Sequence, residues 1–271
     1  MNVVVYSCVV NNYDRLMPPR ILPKGVSFVC FTDAPKKRVK GWEMQPLAQP
    51  SEIHDPALVN RYHKFFSHRV LPDADLSIYV DGNLRIEGDL GPLLDQFIAS
   101  NVAMACPRHP ERSDVIDEAR FCEYLGKFNS NDTAVIDKQL ATYADDGMPS
   151  DAPLSENYLI LRNHRAEGLD AAMSLWWDEL LRFTRRDQIS LPYVLWKTGL
   201  PYRLIEENAS APNPYFSRYE HRRGGVQGLR QIVRLRRNEW WWCRLIYNVG
   251  QNFRRFSRRR PKSGLRDQRY R

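Results

Sequence analysis

Leu76-Ser77-Ile78-Tyr79-Val80-Asp81-Gly82-Asn83 is an apolar run, partly β-branched, that ends abruptly in a carboxylate, a glycine and a carboxamide. The run reads as a buried strand. On an extended chain residues two apart face the same side, so Asp81 and Asn83 are expected to aim their oxygens at one point, with Gly82 letting a ligand come close. Two such oxygens at the C-terminal end of a strand suit a hard divalent cation, Mg²⁺ or Mn²⁺. The competing reading is a tight hairpin, because Asp-Gly between apolar runs is a strong signal for a type I′ turn.

The flanking sequence bears on that choice. Residues 2–10 (NVVVYSCVV) and 26–31 (VSFVCF) are further apolar runs, followed by Asn11-Asn12-Tyr13-Asp14 and by Thr32-Asp33. Apolar strands with polar C-terminal ends, separated by helical stretches, predict a mainly parallel sheet covered on both faces. Ligands of such sheets sit outside the carboxyl ends of the strands. Asn11, Asp14, Thr32, Asp33, Asp81 and Asn83 then share one rim.

Between the second and third runs, Pro56–Val70 reads as a helix, with Asp55 as N-cap and Pro56 in the first turn. It carries Arg61, His63 and Lys64, which form either a solvated face or a set of cations for phosphates. Helices are further expected over 89–100, 113–125, 132–144, 169–183 and 185–196, and strands over 101–106, 158–161 and 202–205. No internal repeat is visible.

Composition bounds the class. With 271 residues, 43% of them hydrophobic, the chain can bury a full core. Asn2–Tyr6 lacks a basic lead and already reads as a first strand, so no secretory leader is expected. No apolar run approaches the length of a spanning helix. The five cysteines lack metal-ligand spacing and read as buried thiols of a reducing cytoplasm, not a disulfide framework.

The net charge of +8 is unevenly spread. Residues 215–271 hold 17 Lys/Arg against 3 Asp/Glu, and the remainder is mildly acidic. The chain therefore divides into a body, 1–214, and a basic, Trp/Arg-rich extension, 215–271, whose end beyond 258 is expected to be disordered. Within it, residues 226–260 mix arginines with Trp240-Trp241-Trp242 and other apolar residues at roughly helical spacing. That composition suits an anionic membrane surface, placing the protein peripherally at the inner face of the plasma membrane. Packing onto the acidic body is the other reading kept open; nucleic acid is not the partner expected.

In this order, Asn12-Tyr13-Asp14, Cys30-Phe31-Thr32-Asp33, Arg61-Tyr62-His63-Lys64 and Ser77–Asn83 carry a family resemblance. It continues through His109-Pro110, Gln139 with Tyr143, Arg162 with His164, Trp176-Trp177 and Arg186-Asp187-Gln188. Over residues 1–210 the chain resembles a glycosyltransferase-like domain family that includes plant mucilage-related and bacterial polysaccharide-cluster proteins. The resemblance implies a GT-A-like fold, a Rossmann-type mixed, mainly parallel sheet, and transfer of a sugar from a nucleotide-diphosphate sugar to a glycan or lipid-linked acceptor.

It also implies roles. Asn11, Asp14, Thr32 and Asp33 become nucleotide-side residues, and Arg61, His63 and Lys64 diphosphate-side residues. Asp81-Gly82-Asn83 takes the place of a DxD motif, its second acid replaced by a neutral amide. Asp81, Asn83 and His164, which follows a late strand, become metal ligands. An inverting enzyme needs a carboxylate to take the acceptor's proton, and Asp187 and Glu156 are the candidates. Two alternatives remain: a metal-dependent hydrolase of a lipid or sugar substrate, and a non-catalytic module gripping membrane or nucleic acid.

Overall fold

The computed structural model describes residues 1–124, 130–209, 213–219 and 221. The chain divides into two compact units, Met1–Arg218 and Tyr219–Arg271; the fold described below is that of the first. The basic stretch 226–260 lies outside the described residues.

Strands β1 (Val3–Val9) and β2 (Val26–Thr32) lead to a short β3 (Glu43–Gln45). Helices α1 (Pro56–Phe65) and α2 (Ser67–Val70) precede β4 (Leu76–Val80) and β5 (Leu84–Ile86). Then come α3 (Gly91–Ser100), β6 (Met104–Pro107), α4 (Val115–Tyr124) and α5 (Ser130–Asp145). β7 (Leu159–Asn163), α6 (Leu169–Arg182), α7 (Asp187–Thr198), β8 (Tyr202–Ile205) and β9 (Phe216–Arg218) complete the unit.

Seven strands form one sheet in the order β3-β2-β1-β4-β7-β6-β8. β1 pairs in parallel with β2 and β4, β2 with β3, and β6 with β8, whereas β7 runs antiparallel to both β4 and β6. This is the mixed, mainly parallel Rossmann-type sheet expected. Its inner strands β1, β4, β6 and β7 are buried on both faces, which explains why they read as continuous apolar runs. One face carries Tyr6, Phe31, Tyr79 and Ile160 under α1, α4, α5, α6 and α7; Phe65 and Trp176 stack there at 3.7 Å and 8°. The other carries Val5, Phe28, Ile78 and Leu161 under α3, Trp42 and β5.

The helix expected over 56–70 breaks at Phe66, whose backbone leaves the helical region before α2 begins. Asp55 caps α1, accepting from the Ala57 and Leu58 amides. β5 pairs with β9 in a separate two-stranded sheet, so the Asp81-Gly82 turn does not close a hairpin. β4 instead lies between β1 and β7, and the turn carries the chain out of the main sheet. β9 lies past the boundary drawn at 214, held in the first unit by its pairing with β5.

Chain direction places the polar ends. The C-terminal ends of β1, β2, β4, β6 and β8 share one rim with the N-terminal end of β7. The strand order reverses between β1 and β4, because successive strands run outward from β1 towards β3 and the next one, β4, returns to its other side. Such a switch point opens a crevice at the carboxyl ends.

Candidate functional site

Asp81 lies at that crevice, directly after β4. Its backbone amide donates to the Tyr158 carbonyl at 2.9 Å, fixing the chain against the start of β7. Tyr79, two residues earlier and on the same strand face, donates its hydroxyl to Asp81 Oδ1 at 2.9 Å. The Leu84 amide then donates to the Asp81 carbonyl at 2.8 Å, closing a turn over residues 81–84. The chain is therefore not extended through Gly82, and the two-residue alternation that would align Asp81 with Asn83 does not apply. The Asp81 side chain is 28% exposed, whereas Asn83 is buried.

Gly82 is required sterically. A Cβ there would sit 2.7 Å from Val9 Cγ2 and 2.9 Å from Asp14 Cβ. The same approach brings Asp14, from the loop after β1, against the Asp81–Asn83 turn. Asn11 and Asn12 both adopt left-handed backbone, at φ 53° and 50°, a conformation asparagine tolerates better than most residues. The Asn11 amide donates to Asp33 Oδ2 at 2.7 Å, tying the end of β1 to the end of β2. Thr32 is buried, and its Oγ1 accepts from the Ala34 amide at 3.2 Å, shaping the same turn.

Helix α1 supplies the cations. Asn60 anchors it to the sheet by donating Nδ2–H to the Cys8 carbonyl at 2.7 Å, and Arg61 donates to Asn60 Oδ1 at 2.9 Å. Arg61 and Lys64, three residues apart, share a helix face. Lys64 Nζ lies 2.6 Å from Asp187 Oδ2 and 3.8 Å from Asp81 Oδ1, and Arg61 Nε lies 3.7 Å from Asp187 Oδ2. Burial works against the Asp187 charge, but Arg61 and Lys64 outweigh it and hold the carboxyl well below its usual range. Burial likewise opposes the Arg61 charge, and Asp187 more than compensates, so its pKa is raised.

Two expected ligands fall elsewhere. His63 points to another face of α1 and is buried: its Nδ1 bonds the Val59 carbonyl at 2.8 Å and its Nε2 accepts from the Ala48 amide at 3.0 Å. Both ring nitrogens are spent on backbone, and burial lowers its pKa, so it is a neutral strut and not a phosphate ligand. His164 is on the wrong rim. Because β7 is antiparallel to β4, with Leu76 opposite Asn163 and Val80 opposite Leu159, His164 emerges beside the start of β4. There its Nε2 meets Ser77 Oγ at 2.8 Å, the full length of β4 away from Asp81.

The reversal of β7 brings Glu156 to the functional rim, just before that strand. Glu156 is buried, its amide donates to the Pro107 carbonyl at 2.8 Å, and Arg218 Nη1 lies 3.6 Å from Oε1. Burial raises its pKa, with Arg218 partly offsetting the rise. Oε2 is buried without a hydrogen-bond partner among the described residues. Asp187 and Glu156 thus differ sharply: one is a strongly stabilised anion, the other a carboxyl whose proton affinity is increased.

Several residues of the rim carry no isolated motif. Tyr79 is one, legible only through its alternation with Asp81. Glu118 is another: fully buried on α4, it binds Arg112 Nε at 2.5 Å and Arg186 Nη2 at 3.0 Å, bracing the segment that leads into Asp187. Arg112 and Arg186, which meet at Glu118, are 74 residues apart along the chain, and no local pattern joins them.

Among the described residues no group of three or more His, Cys, Asp or Glu can hold a metal ion. The donors at the turn are one half-buried carboxylate and one buried amide. That set fits a hard cation only where substrate oxygens complete the shell, as is common for Mg²⁺ bound with phosphates.

The model of the TOD1/MUCI70, glycosyltransferase-like domain family matches residues 34–207. The chain belongs to this family. It is 29% identical over 218 residues to the probable hexosyltransferase MUCI70 of Arabidopsis thaliana, covering 71% of this chain and 37% of that protein. It is 25% identical over 227 residues to alkaline ceramidase TOD1 of Arabidopsis thaliana, covering 71% of this chain and 48% of that protein. The chain thus spans less than half the length of either relative. Among solved structures it is similar to the crystal structure of mouse xyloside xylosyltransferase 1, with a TM-score of 0.44 at 8% identity, covering 75% of this chain and 84% of that one. No helix among the described residues is long and apolar enough to cross a membrane.

Proposed function

We propose that the rim binds a nucleotide-diphosphate sugar and transfers its sugar to a hydroxyl of a glycan or lipid-linked acceptor in cell-surface polysaccharide assembly. The observation that carries this reading is Asp81 at the switch-point crevice with the Arg61 and Lys64 cations beside it. Asn11, Asp14, Thr32 and Asp33 line the nucleotide side. Arg61 faces the diphosphate, and Lys64 with Asp187 sets its position from below.

In the transfer, the bond from the anomeric carbon to the diphosphate oxygen breaks, and its electron pair leaves on the diphosphate. The acceptor oxygen attacks the anomeric carbon and gives up its proton. Glu156 suits the accepting role, because a general base works best when its pKa approaches the operating pH. Asp187 does not suit it, since a carboxylate stabilised by two cations has little affinity for a proton. A Mn²⁺ or Mg²⁺ ion, held by Asp81 together with donor phosphate oxygens, would supply positive charge to the leaving group. Residence in the cytoplasm, at the inner face of the plasma membrane through 226–260, completes the proposal.

The relative named an alkaline ceramidase gives the hydrolase alternative a specific footing. One assay separates the two. Nucleoside diphosphate release is measured over a panel of nucleotide sugars with mixed glycan acceptors, beside ceramide hydrolysis. Acceptor-dependent release with one donor, lost in Asp81→Ala, supports transfer; ceramide turnover without any nucleotide overturns it.

A further inference from the structure

The loop between β1 and β2 packs against the loop between β2 and β3. The Trp42 Nε1–H donates to the Met17 carbonyl at 2.9 Å, and a Cβ on Gly41 would lie 2.9 Å from Pro19 Cγ and 3.4 Å from Leu22 Cδ2. Pro18, Pro19 and Pro23 stiffen the first loop, and Arg20 pins it by pairing with Glu87 at 2.7 Å. This rigid support holds two large apolar side chains out to solvent: Ile21 is 45% and Leu22 53% exposed.

The two loops that carry and support those side chains are cationic. Lys40 precedes Gly41, and Arg38, Lys37 and Lys36 continue the same loop back towards the rim; Lys24 follows Leu22. All five are exposed, and none joins a salt bridge among the described residues. From Arg15 to Trp42 the sole acid is Asp33, which is bonded to the Asn11 amide. A rigid apolar pair with unpaired cations on the same two loops is complementary to a lipid surface: the apolar tips enter the interface and the cations meet anionic headgroups. A soluble polyanion would use the cations but gives Ile21 and Leu22 no apolar phase.

We infer that the 18–24 and 36–41 loops form a docking surface for an anionic phospholipid bilayer. This surface is built from residues of the first unit, not from the basic stretch 226–260, and stands whether or not the rim transfers sugar. Both loops run from the C-terminal ends of β1 and β2 back to the starts of β2 and β3, and the 18–24 and 36–41 stretches lie along that return path.

The test places a polarity-sensitive fluorophore on Leu22→Cys in the full chain, with Cys243→Ser so that the remaining cysteines are the buried Cys8, Cys30, Cys106 and Cys122. A control label goes on Leu181→Cys, exposed on α6 over the opposite sheet face. Phosphatidylcholine vesicles containing phosphatidylserine should blue-shift the label at 22 and leave that at 181 unchanged, and pure phosphatidylcholine should shift neither. Neutralising Lys36, Lys37 and Arg38 to Gln should weaken the response about fivefold for each charge removed. No shift at 22 overturns the inference, even where the chain still sediments with vesicles. An equal shift at 181, or the same shift with heparin in place of vesicles, overturns it as well.

Discussion

Lys64 Nζ lies 2.6 Å from Asp187 Oδ2, a buried ion pair joining the last turn of α1 to the first residue of α7. It sits beneath Asp81 and Arg61, so the exposed part of the crevice rests on a charge pair sealed from water. Removing one member of such a pair leaves an uncompensated buried charge. Lys64→Met should destabilise the domain by about 3–5 kcal/mol, and Lys64→Met with Asp187→Leu by markedly less. Urea denaturation measures both; equal losses would mean that the pair's charge is not what matters.

Asp187 and Glu156 should separate in the pH profile of transfer. Burial raises the Glu156 pKa, so activity should fall as pH drops towards that raised value, before the ordinary carboxylate range near ~4.3 is reached. Glu156→Gln should remove this limb and about 10²–10⁴-fold of the rate while leaving donor affinity unchanged. Asp187→Asn should weaken donor binding by loosening Arg61 and leave the limb in place. A limb that moves with Asp187 and ignores Glu156 would reverse the two roles.

His164 should matter to acid stability. Burial, with Arg162 and His68 nearby, lowers its folded pKa to about 4, against roughly 6.5 in the unfolded chain. The unfolded state therefore binds the proton first. The contribution is fully present above pH ~6.5 and is lost as pH falls from there towards 4, at about 1.4 kcal/mol for each unit of difference. His164→Asn should flatten that part of the stability curve and leave any Mn²⁺ effect on nucleotide binding intact. A lost Mn²⁺ effect would restore it as a metal ligand.

Gly82→Ala tests the contact between turn and Asp14. The added methyl collides with Val9 and Asp14, and overpacking of this kind typically costs about 1–3 kcal/mol. Donor affinity should fall further than the melting temperature suggests, because Asp14 and Asp81 are displaced together. Unchanged affinity in a folded variant would remove the turn from the site.

Much of this arrangement is legible along the chain, and its limits have physical causes. Leu76–Val80, Val3–Val9 and Val26–Thr32 announce themselves because strands buried on both faces must be apolar throughout, and their polar ends mark the rim. Strand direction is not written in such a run: Leu159–Asn163 reads like its neighbours, yet runs the other way, moving His164 off the rim and Glu156 onto it. The alternation rule fails at Asn83 because Asp81–Leu84 is a turn. The three-residue strands β3, β5 and β9 are too short to show a pattern. Lys64 and Asp187 meet across 123 residues, a distance no local spacing reveals.

The central claim is that Asp81 holds a nucleotide-diphosphate sugar at the switch point between β1 and β4. Isothermal titration of nucleoside diphosphates and their sugars, with and without Mn²⁺, into the wild-type chain and a folded Asp81→Ala variant addresses it directly. The account predicts binding of at least one nucleotide by the wild-type chain and its loss, by about tenfold or more, in Asp81→Ala, the scale expected when a charged contact is removed. Failure of every nucleotide to bind the wild-type chain, or equal binding by the variant, would contradict it.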